Sequence, residues 1–217
     1  TSEPQKWSVL ISSCDYSYDS WPYLFHFLFK EWPDLPKPVY LLTNYLEFDH
    51  PDVVSLKVGE DRQWGINTRI ALEKVPTPYL AYLQDDYYLD QAVPNAELRT
   101  LCNAVIERDD SFMSLTHRDD TGDAAPIPGL RNTRQDWWCV DLQAAFWKKE
   151  TLLDFAQDGV NVWEAETLIR RRKEGSPDGY YHLAKSSSKL LSYIEAIKGG
   201  FWRPIGMEFL ERHGMKP

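Results

Sequence analysis

Short apolar runs separate longer periodic segments along the first half of the chain. Four of these runs are rich in β-branched and aromatic residues and are typical of buried strands. They lie at 7–12 (WSVLIS), 39–43 (VYLLT), 53–58 and 79–83 (YLAYL). Helices are predicted between them, one capped by Ser20 with Pro22 in its first turn and one that opens at Gly65. This alternation predicts βαβ units and a largely parallel sheet with right-handed crossovers.

The second half has a less regular pattern. It predicts a helix at about 94–108, a strand at 112–116, and further helices at 162–173 and about 189–198. Residues 118–136 are rich in Asp, Gly, Pro and Arg, and they predict a long loop of the kind that acts as a lid over a sheet edge.

Composition and charge limit the classes of protein that fit. With 217 residues, 43% of them hydrophobic, the chain is predicted to form one domain, 1–217. A net charge of −9 argues against a nucleic-acid-binding protein and a generally membrane-adhesive surface. Three cysteines without CxxC spacing predict neither disulfides nor zinc, and they favour a cytoplasmic location. No secretory signal or bilayer-length apolar run occurs, and Thr1 in place of Met indicates a trimmed chain or part of a longer one.

The adjacent acids Asp85 and Asp86 follow directly after the fourth predicted strand. Ligands of open α/β sheets bind at the carboxyl ends of the strands, so this pair is expected at a ligand-facing edge. Two neighbouring carboxylates repel unless solvent, a base or a cation compensates. Mg²⁺ or Mn²⁺, which prefers oxygen ligands and bridges to diphosphate oxygens, would do so. The alternative is an ordinary solvated turn.

Three features occur in a fixed order across nearly the whole chain: the helix and strand in QWGINTRIALEKVPTPYLAYL, the motif Gln84-Asp85-Asp86, and the segment VWEAE at 162–166. Together they resemble the GT-A-type glycosyltransferases, particularly small bacterial enzymes of surface-polysaccharide synthesis. The resemblance implies an α/β, single-domain GT-A-like (Rossmann-like) fold, with a mostly parallel sheet flanked by helices. About 1–117 would bind a nucleotide-sugar donor, and about 118–217 would form the acceptor side.

The resemblance also implies partners. The acceptor would be a glycan or a lipid-linked glycan, and no nucleic acid would be involved. The enzyme would be cytoplasmic, with association at the inner face of the membrane left open through a missing flank or a partner.

By the same resemblance, Asp86 would be the direct ligand of Mn²⁺ or Mg²⁺, and Asp85 would ligate through water or hold the ribose. Gln84 departs from the common Asp-x-Asp form at its first position. His182 would be a late-chain metal ligand, although a single His in a Tyr-rich segment also fits a structural role.

Further donor contacts are implied around the predicted nucleotide pocket. Ser13 and Asp15 would contact the base or ribose, and Arg69 would contact the donor from the helix before the metal strand. Three further candidates lie just before that helix or at its start: the acid Asp61, the base Arg62 and the aromatic residue Trp64.

An inverting transfer needs a carboxylate that removes the proton from the acceptor hydroxyl. Glu164 is the first candidate, Glu166 the second and Asp141 a distant third. Asn161 and Glu164 also fit a helix capping box, in which Glu164 merely accepts a backbone N–H.

Other side chains have both a functional and a structural interpretation. Trp137, Trp138 and Trp147 would stack on acceptor sugars or fill the core. The run 170–172 of three Arg residues would bind a phosphate or an anionic lipid carrier, or form a solvated helix face.

Two other functions compete with glycosyl transfer. A sugar-phosphate nucleotidyltransferase uses a similar sheet and metal, but it usually has a Gly-rich, basic loop after the first strand. Here that loop is CDYSYDS, without Gly, Lys or Arg. A non-catalytic carbohydrate- or protein-binding module would use the aromatic residues and would bind neither nucleotide nor metal.

Overall fold

The computed structural model describes residues 4–133, 140–173 and 179–216. Trp137 and Trp138 lie outside the described residues, as do the side chains of the three Arg residues at 170–172. Within the described ranges, no helix is long and apolar enough to cross a membrane.

Helices follow most strands in the first half of the chain. The helices are α1 (Trp21–Glu31), α2 (Gln63–Lys74), α3 (Asn95–Glu107), α4 (Lys149–Phe155), α5 (Val162–Lys173) and α6 (Pro204–Arg212). A short 3-10 helix covers Asp15–Ser17.

Eight of the described strands form the main sheet, in the order β3-β2-β1-β4-β8-β6-β9-β7. They are β1 (Trp7–Ser12), β2 (Val39–Thr43), β3 (Val53–Lys57), β4 (Tyr79–Gln84), β6 (Phe112–Arg118), β7 (Leu130–Asn132), β8 (Ala145–Lys148) and β9 (Tyr180–Leu183). The remaining strands form two ribbons: β5 (Tyr87–Leu89) with β10 (Tyr193–Glu195), and β11 (Ile197–Lys198) with β12 (Phe201–Trp202).

The first four strands of the sheet are parallel, and so are β6 and β9. β8 runs antiparallel to β4 on one side and to β6 on the other, and β7 is antiparallel to β9. The predicted fold class, a mostly parallel sheet flanked by helices, is therefore confirmed.

Successive side chains along each strand point to opposite faces of the sheet, so the core has two layers. Val9 and Ile11 of β1 face the layer packed by α1, α3 and α6, whereas Leu10 faces the layer packed by α2, α4 and α5. Trp147 is fully buried against Phe112 in the second layer, which confirms its packing interpretation.

Two predictions for the second half are wrong. The helix expected at 189–198 is instead β10 and β11, because pairing of Tyr193–Glu195 with the distant Tyr87–Leu89 supplies hydrogen bonds that local periodicity does not reveal. The loop expected at 118–136 contains β7, which pairs with β9, a strand that the sequence analysis did not identify. α6 was also missed.

Ser20 stands at the N-cap position of α1, as predicted, but it does not cap the helix through its side chain. Its hydroxyl donates a hydrogen bond to the carbonyl of Ser17 at 2.7 Å. Pro22 falls in the first turn as expected, since its missing N–H is no loss there.

Candidate functional site

The acid pair follows immediately after β4, at the carboxyl edge of the sheet. β4 is buried between β1 and β8, and the backbone N–H of Asp85 donates to the carbonyl of Ser12 at the end of β1. The chain then enters β5, so the acid pair lies at the junction between the main sheet and the β5–β10 ribbon. The position predicted for Asp85 and Asp86 is thus confirmed.

Asp85 is oriented by a chain of hydrogen bonds from the core. The Trp21 indole N–H donates to the Ser13 hydroxyl at 2.8 Å, and that hydroxyl donates to Asp85 Oδ2 at 2.6 Å. Burial raises the pKa of Asp85, while hydrogen bonds from Ser13 and Ser17 oppose the rise. Because Trp21 is fully buried, this chain fixes the carboxylate in one orientation.

Asp86 has a buried oxygen with no hydrogen bond. Its Oδ1 atom has no partner among the described residues. Burial, then the charges of Asp85 and Glu195, raise the pKa of Asp86 to about 7. An ionised oxygen in such a place is costly unless a cation or donor reaches it.

This arrangement fits a divalent cation. The described residues contain no group of three or more His, Cys, Asp or Glu side chains placed to hold a metal by themselves. Mg²⁺ usually binds through one or two carboxylates, with water and substrate phosphates as its other ligands, so an acid pair is a sufficient protein contribution. Asp86, with Asp85 beside it, would hold the ion.

A cavity of about 280 Å³ opens beside the acid pair. Four of the predicted donor-site residues line it together: Ser13, Asp61, Trp64 and Asp85. The ends of β1, β2 and β4, the first turns of α2 and the start of α5 supply its walls. The structure therefore brings these four residues to one cleft at the carboxyl edge of the sheet, where α/β folds bind ligands.

The same cavity has polar walls that sequence reasoning missed. Asn67 and Thr68 face it from α2, and the Thr68 hydroxyl is buried with no hydrogen-bond partner among the described residues. Asn67 Nδ2 donates to Asp61 Oδ1 at 2.7 Å, which holds that acid at the cavity rim. Polar residues at buried positions of a helix are the sequence signal that could have identified both residues.

Asp15 fastens the loop after β1 to the loop after β2. Its carboxylate accepts backbone N–H groups from Asn44 at 2.9 Å, Tyr45 at 2.8 Å and Leu46 at 3.2 Å. Its own N–H donates to the Asn44 side chain at 3.1 Å. Asp15 is not among the residues that line the cavity, and these contacts use both of its oxygens.

We therefore expect Asp15→Ala to destabilise the protein by about 1–3 kcal/mol, because it leaves several N–H groups without an acceptor. Urea unfolding monitored by circular dichroism measures the change. Asp15→Asn is the matched control, since it keeps one acceptor oxygen and should cost less. Equal stability of wild type and Asp15→Ala would contradict the fastening role.

The two predicted arginine contacts lie elsewhere. Arg69 donates from Nε and Nη2 to the Ala156 carbonyl, and its Nη1 lies 2.8 Å from Asp158, so it joins α2 to the loop after α4. Arg62 is exposed and precedes α2, and it is not among the cavity-lining residues.

His182 is fully buried in β9, with its ring 5.4 Å from that of His117. β8 and β6 separate β9 from β4, so three strand spacings, about 14 Å, lie between His182 and the acid pair. The structure thus does not bring His182 to Asp86.

The start of α5 separates the cavity beside the acid pair from a second, open groove. Val162 lines the cavity, whereas Trp163 and Glu164 line a groove of about 590 Å³ on the other side. Trp163 is 76% exposed. Glu166, one turn after Val162, faces the cavity side, and its Oε1 accepts the N–H of Leu142 at 3.3 Å.

Glu164 forms the predicted capping box. Its Oε2 accepts the N–H of Asn161 at 2.9 Å, and its own N–H donates to Asn161 Oδ1 at 3.0 Å. The carboxylate nevertheless remains exposed to the groove. Asp141, the third candidate base, accepts the N–H of Gln143 at 3.0 Å.

A tyrosine pair borders the acid site from the β5–β10 ribbon. Tyr87 and Tyr193 stack with ring centroids 4.0 Å apart. Burial is the main cause that raises the pKa of both phenols, and Asp86 and Asp141 add to the shift. Glu195, the last residue of β10, also lies near Asp86. The sequence analysis missed Tyr193 and Glu195 because it placed both in a helix.

The sheet order and the helices on both faces of the sheet define a GT-A-like α/β fold. The comparison of the sequence with protein-family models and with curated proteins gives no match.

Among solved structures, S. aureus TarS residues 1–349 are similar to this chain with a TM-score of 0.56 and 12% identity, over 84% of this chain and 59% of that fragment. The same fragment in complex with UDP-GlcNAc gives a TM-score of 0.54 at 12% identity, over 86% of this chain and 60% of the fragment, so this chain spans less than two thirds of it. A cytidylyltransferase from Leptospira borgpetersenii gives a TM-score of 0.53 at 11% identity, over 97% of this chain and 96% of its own. At these identities the comparisons show the fold alone.

Proposed function

We propose that this protein is a glycosyltransferase that moves a sugar from a nucleotide-sugar donor to a glycan or lipid-linked glycan, with inversion at the anomeric carbon. The observation on which this proposal depends is one oxygen of Asp86, which is buried without a hydrogen bond to any described residue, beside a cleft lined by Asp85. A site that gathers acids at a sheet edge with GT-A-like topology suits a cation-bound diphosphate. TarS, which shares the fold, has been solved with UDP and with UDP-GlcNAc.

In this proposal the nucleotide occupies the cavity between α2 and the ends of β1 and β4. Trp64 offers an aromatic face, and its indole N–H is held by the Tyr82 hydroxyl at 2.8 Å. The Asn67 and Thr68 side chains supply polar groups for the base or ribose. Asp85, fixed by Ser13, is positioned to accept a hydrogen bond from a ribose hydroxyl.

Asp86 would hold Mg²⁺ or Mn²⁺. When bound, the cation supplies charge neutralisation for the diphosphate leaving group. The partly buried surroundings of Asp86 exclude much of the water that would otherwise screen this attraction.

The acceptor would lie in the groove beside Trp163, whose exposed ring offers an apolar face for a pyranose. Glu164 lines the same groove and would take the proton from the attacking hydroxyl. We assign Glu164 as the base and Glu166 as a residue that holds the 142 loop against α5.

A sugar-phosphate nucleotidyltransferase is the second candidate, because the Leptospira cytidylyltransferase is matched over nearly its full length. The loop after β1 weighs against it. That loop has no Gly, Lys or Arg with which to hold a triphosphate, and Asp15 fastens it to the neighbouring loop.

Thermal unfolding with a panel of nucleoside diphosphates, each with and without Mn²⁺, tests the proposal. A ligand at 100 times its dissociation constant stabilises by about 2.7 kcal/mol. For a chain of this size we expect one nucleotide to raise Tm by about 5–10 °C when Mn²⁺ is present. No shift with any member of the panel would favour a non-catalytic binding module.

The reaction products separate the two enzymatic candidates. We expect slow hydrolysis of the matching nucleotide sugar to the nucleoside diphosphate, and no nucleoside triphosphate when pyrophosphate is added. Formation of triphosphate and sugar phosphate from pyrophosphate would instead identify a nucleotidyltransferase.

A further inference from the structure

The β11–β12 ribbon is a tight hairpin that begins beside the acid pair. Its two-residue turn is Gly199-Gly200, with φ of +57° and +80°. Such turns need positive φ at both central residues, which glycine adopts without strain. The hairpin therefore projects as a short, defined arm rather than as an irregular loop.

Both ends of this arm are fixed to the candidate site. At its base, the Ala196 N–H donates to the Asp86 carbonyl at 2.9 Å, and the Arg203 N–H donates to the Ala196 carbonyl at 2.9 Å. At its tip, Gly200 lies against the Tyr16 ring, so closely that a Cβ there would be 2.7 Å from Tyr16 Cε1. Tyr16 belongs to the loop after β1, whose residues Cys14 and Ser17 line the donor cavity.

Lys198 lies midway between these two fixed points. It is two residues from Ala196 and two from Gly200, so its backbone is within about 7 Å of each along the chain. The side chain is exposed, and it forms no ion pair or hydrogen bond with a described residue. By contrast, Arg203 at the other end of the hairpin is paired with Glu195.

The charges expected at the site indicate which anion Lys198 would contact. A divalent cation would only offset the two charges of Asp85 and Asp86, whereas the diphosphate of a nucleotide sugar is itself a dianion. A further cation is needed on the solvent side of the site, and an ammonium group on a flexible stem suits a phosphate.

We propose that Lys198 binds the diphosphate of the nucleotide, and that contact of the hairpin with Tyr16 holds it in place. This inference rests on the proposed function and adds a residue to it. It assigns the hairpin 197–202 to the donor site, although this segment is more than 100 residues from the acid pair in sequence.

Calorimetry with Mn²⁺ and the nucleoside diphosphate that stabilises the wild type most provides the test. We expect Lys198→Ala to weaken diphosphate binding about 10- to 100-fold and to leave binding of the parent nucleoside unchanged. Lys198→Arg should restore part of the affinity. Inorganic pyrophosphate with Mn²⁺ should show the same dependence on Lys198, which separates a phosphate contact from a base or ribose contact.

Lys6→Ala is the matched charge control, because Lys6 is exposed and lies at the amino end of β1, whereas the acid pair lies at the carboxyl ends of the strands. It should bind the diphosphate as the wild type does. If Lys198→Ala also binds within twofold of the wild type, the inference is overturned while the proposed function stands. If the wild type binds no nucleoside diphosphate, the proposed function fails and this inference fails with it.

Two glycine variants test the contact with Tyr16. Gly199→Ala and Gly200→Ala place a side chain at similar positive φ, but only Gly200→Ala meets the Tyr16 ring, since nothing lies within 4 Å of a Cβ at Gly199. We expect Gly200→Ala to weaken diphosphate binding at least fivefold more than Gly199→Ala. Equal effects would overturn the holding role of the hairpin tip.

Discussion

Asp86→Asn is expected to abolish sugar transfer and Mn²⁺-dependent nucleotide binding, and yet to make the metal-free protein more stable at pH 8. The loss of function follows from the proposed role of Asp86 as the cation ligand, because a neutral amide is a much poorer ligand for a hard cation than a carboxylate. The gain in stability follows from the cost of holding a charged, partly buried carboxylate beside Asp85 and Glu195.

The pH dependence of that gain can be worked out. The pKa of Asp86 rises from an ordinary value of 3.8 to about 7 in the folded protein, so the native state binds this proton more tightly than the unfolded chain. This tighter proton binding by Asp86 stabilises the folded state fully below pH 3.8, and the stabilisation is lost as the pH rises to about 7. Asparagine does not ionise, so the free energy of unfolding of the variant should exceed that of the wild type by about 1–3 kcal/mol at pH 8, after allowance for partial exposure. At pH 4 the difference should be almost nothing.

Thermal unfolding in EDTA at both pH values, with transfer assays at pH 8, measures both effects. Asp90→Asn is a suitable control, because Asp90 is exposed just after β5 and the substitution removes the same charge. Full activity of Asp86→Asn would remove the cation hypothesis. Lost activity together with lost stability would indicate that Asp86 is a structural residue.

Glu164→Gln is expected to lower kcat by about 10²- to 10⁴-fold and to leave nucleotide binding and Tm unchanged. Glutamine at this position still accepts the Asn161 N–H, so the capping box is kept while the base is lost. The substitution therefore separates the two roles that the sequence analysis left open.

Glu166→Gln provides the comparison on the opposite side of the helix. Its amide oxygen can still accept the Leu142 N–H, and we expect kcat within a few-fold of the wild type. If Glu166→Gln is the inactive variant and Glu164→Gln retains kcat, Glu166 is the base and Glu164 only caps α5. If both variants retain kcat, neither glutamate is the base.

The sequence predicted the first half of the fold well, for a physical reason. β1 and β3 are each followed by a helix with its own periodic pattern, and the apolar run of β4 ends directly at the acid pair. Local signals therefore place Asp85 and Asp86 at the sheet edge without knowledge of distant contacts. Ser13, Asp61 and Trp64 then reach the same cavity because parallel strands end at the same edge.

The last thirty residues could not be predicted in this way. The segment that contains Tyr193 and Lys198 has apolar spacing that is compatible with a helix. It is extended because Tyr193–Glu195 pairs with Tyr87–Leu89 and Ile197–Lys198 pairs with Phe201–Trp202. Glu195 and the hairpin were therefore missed. The fastening role of Asp15 was missed for a related reason, since its hydrogen-bond partners lie about thirty residues further along the chain.

The antiparallel strand β8 lies between β4 and β6, and this has a consequence for the nascent chain. During synthesis, β1 to β4 can pair as soon as they emerge, but the outer edge of β4 stays open until residues 145–148 arrive. That edge is the hydrophobic segment YLAYL, and an exposed edge of this kind readily pairs with other chains. A nascent chain that lacks β8 would therefore be prone to edge-to-edge pairing, and the arrival of β8 covers this edge.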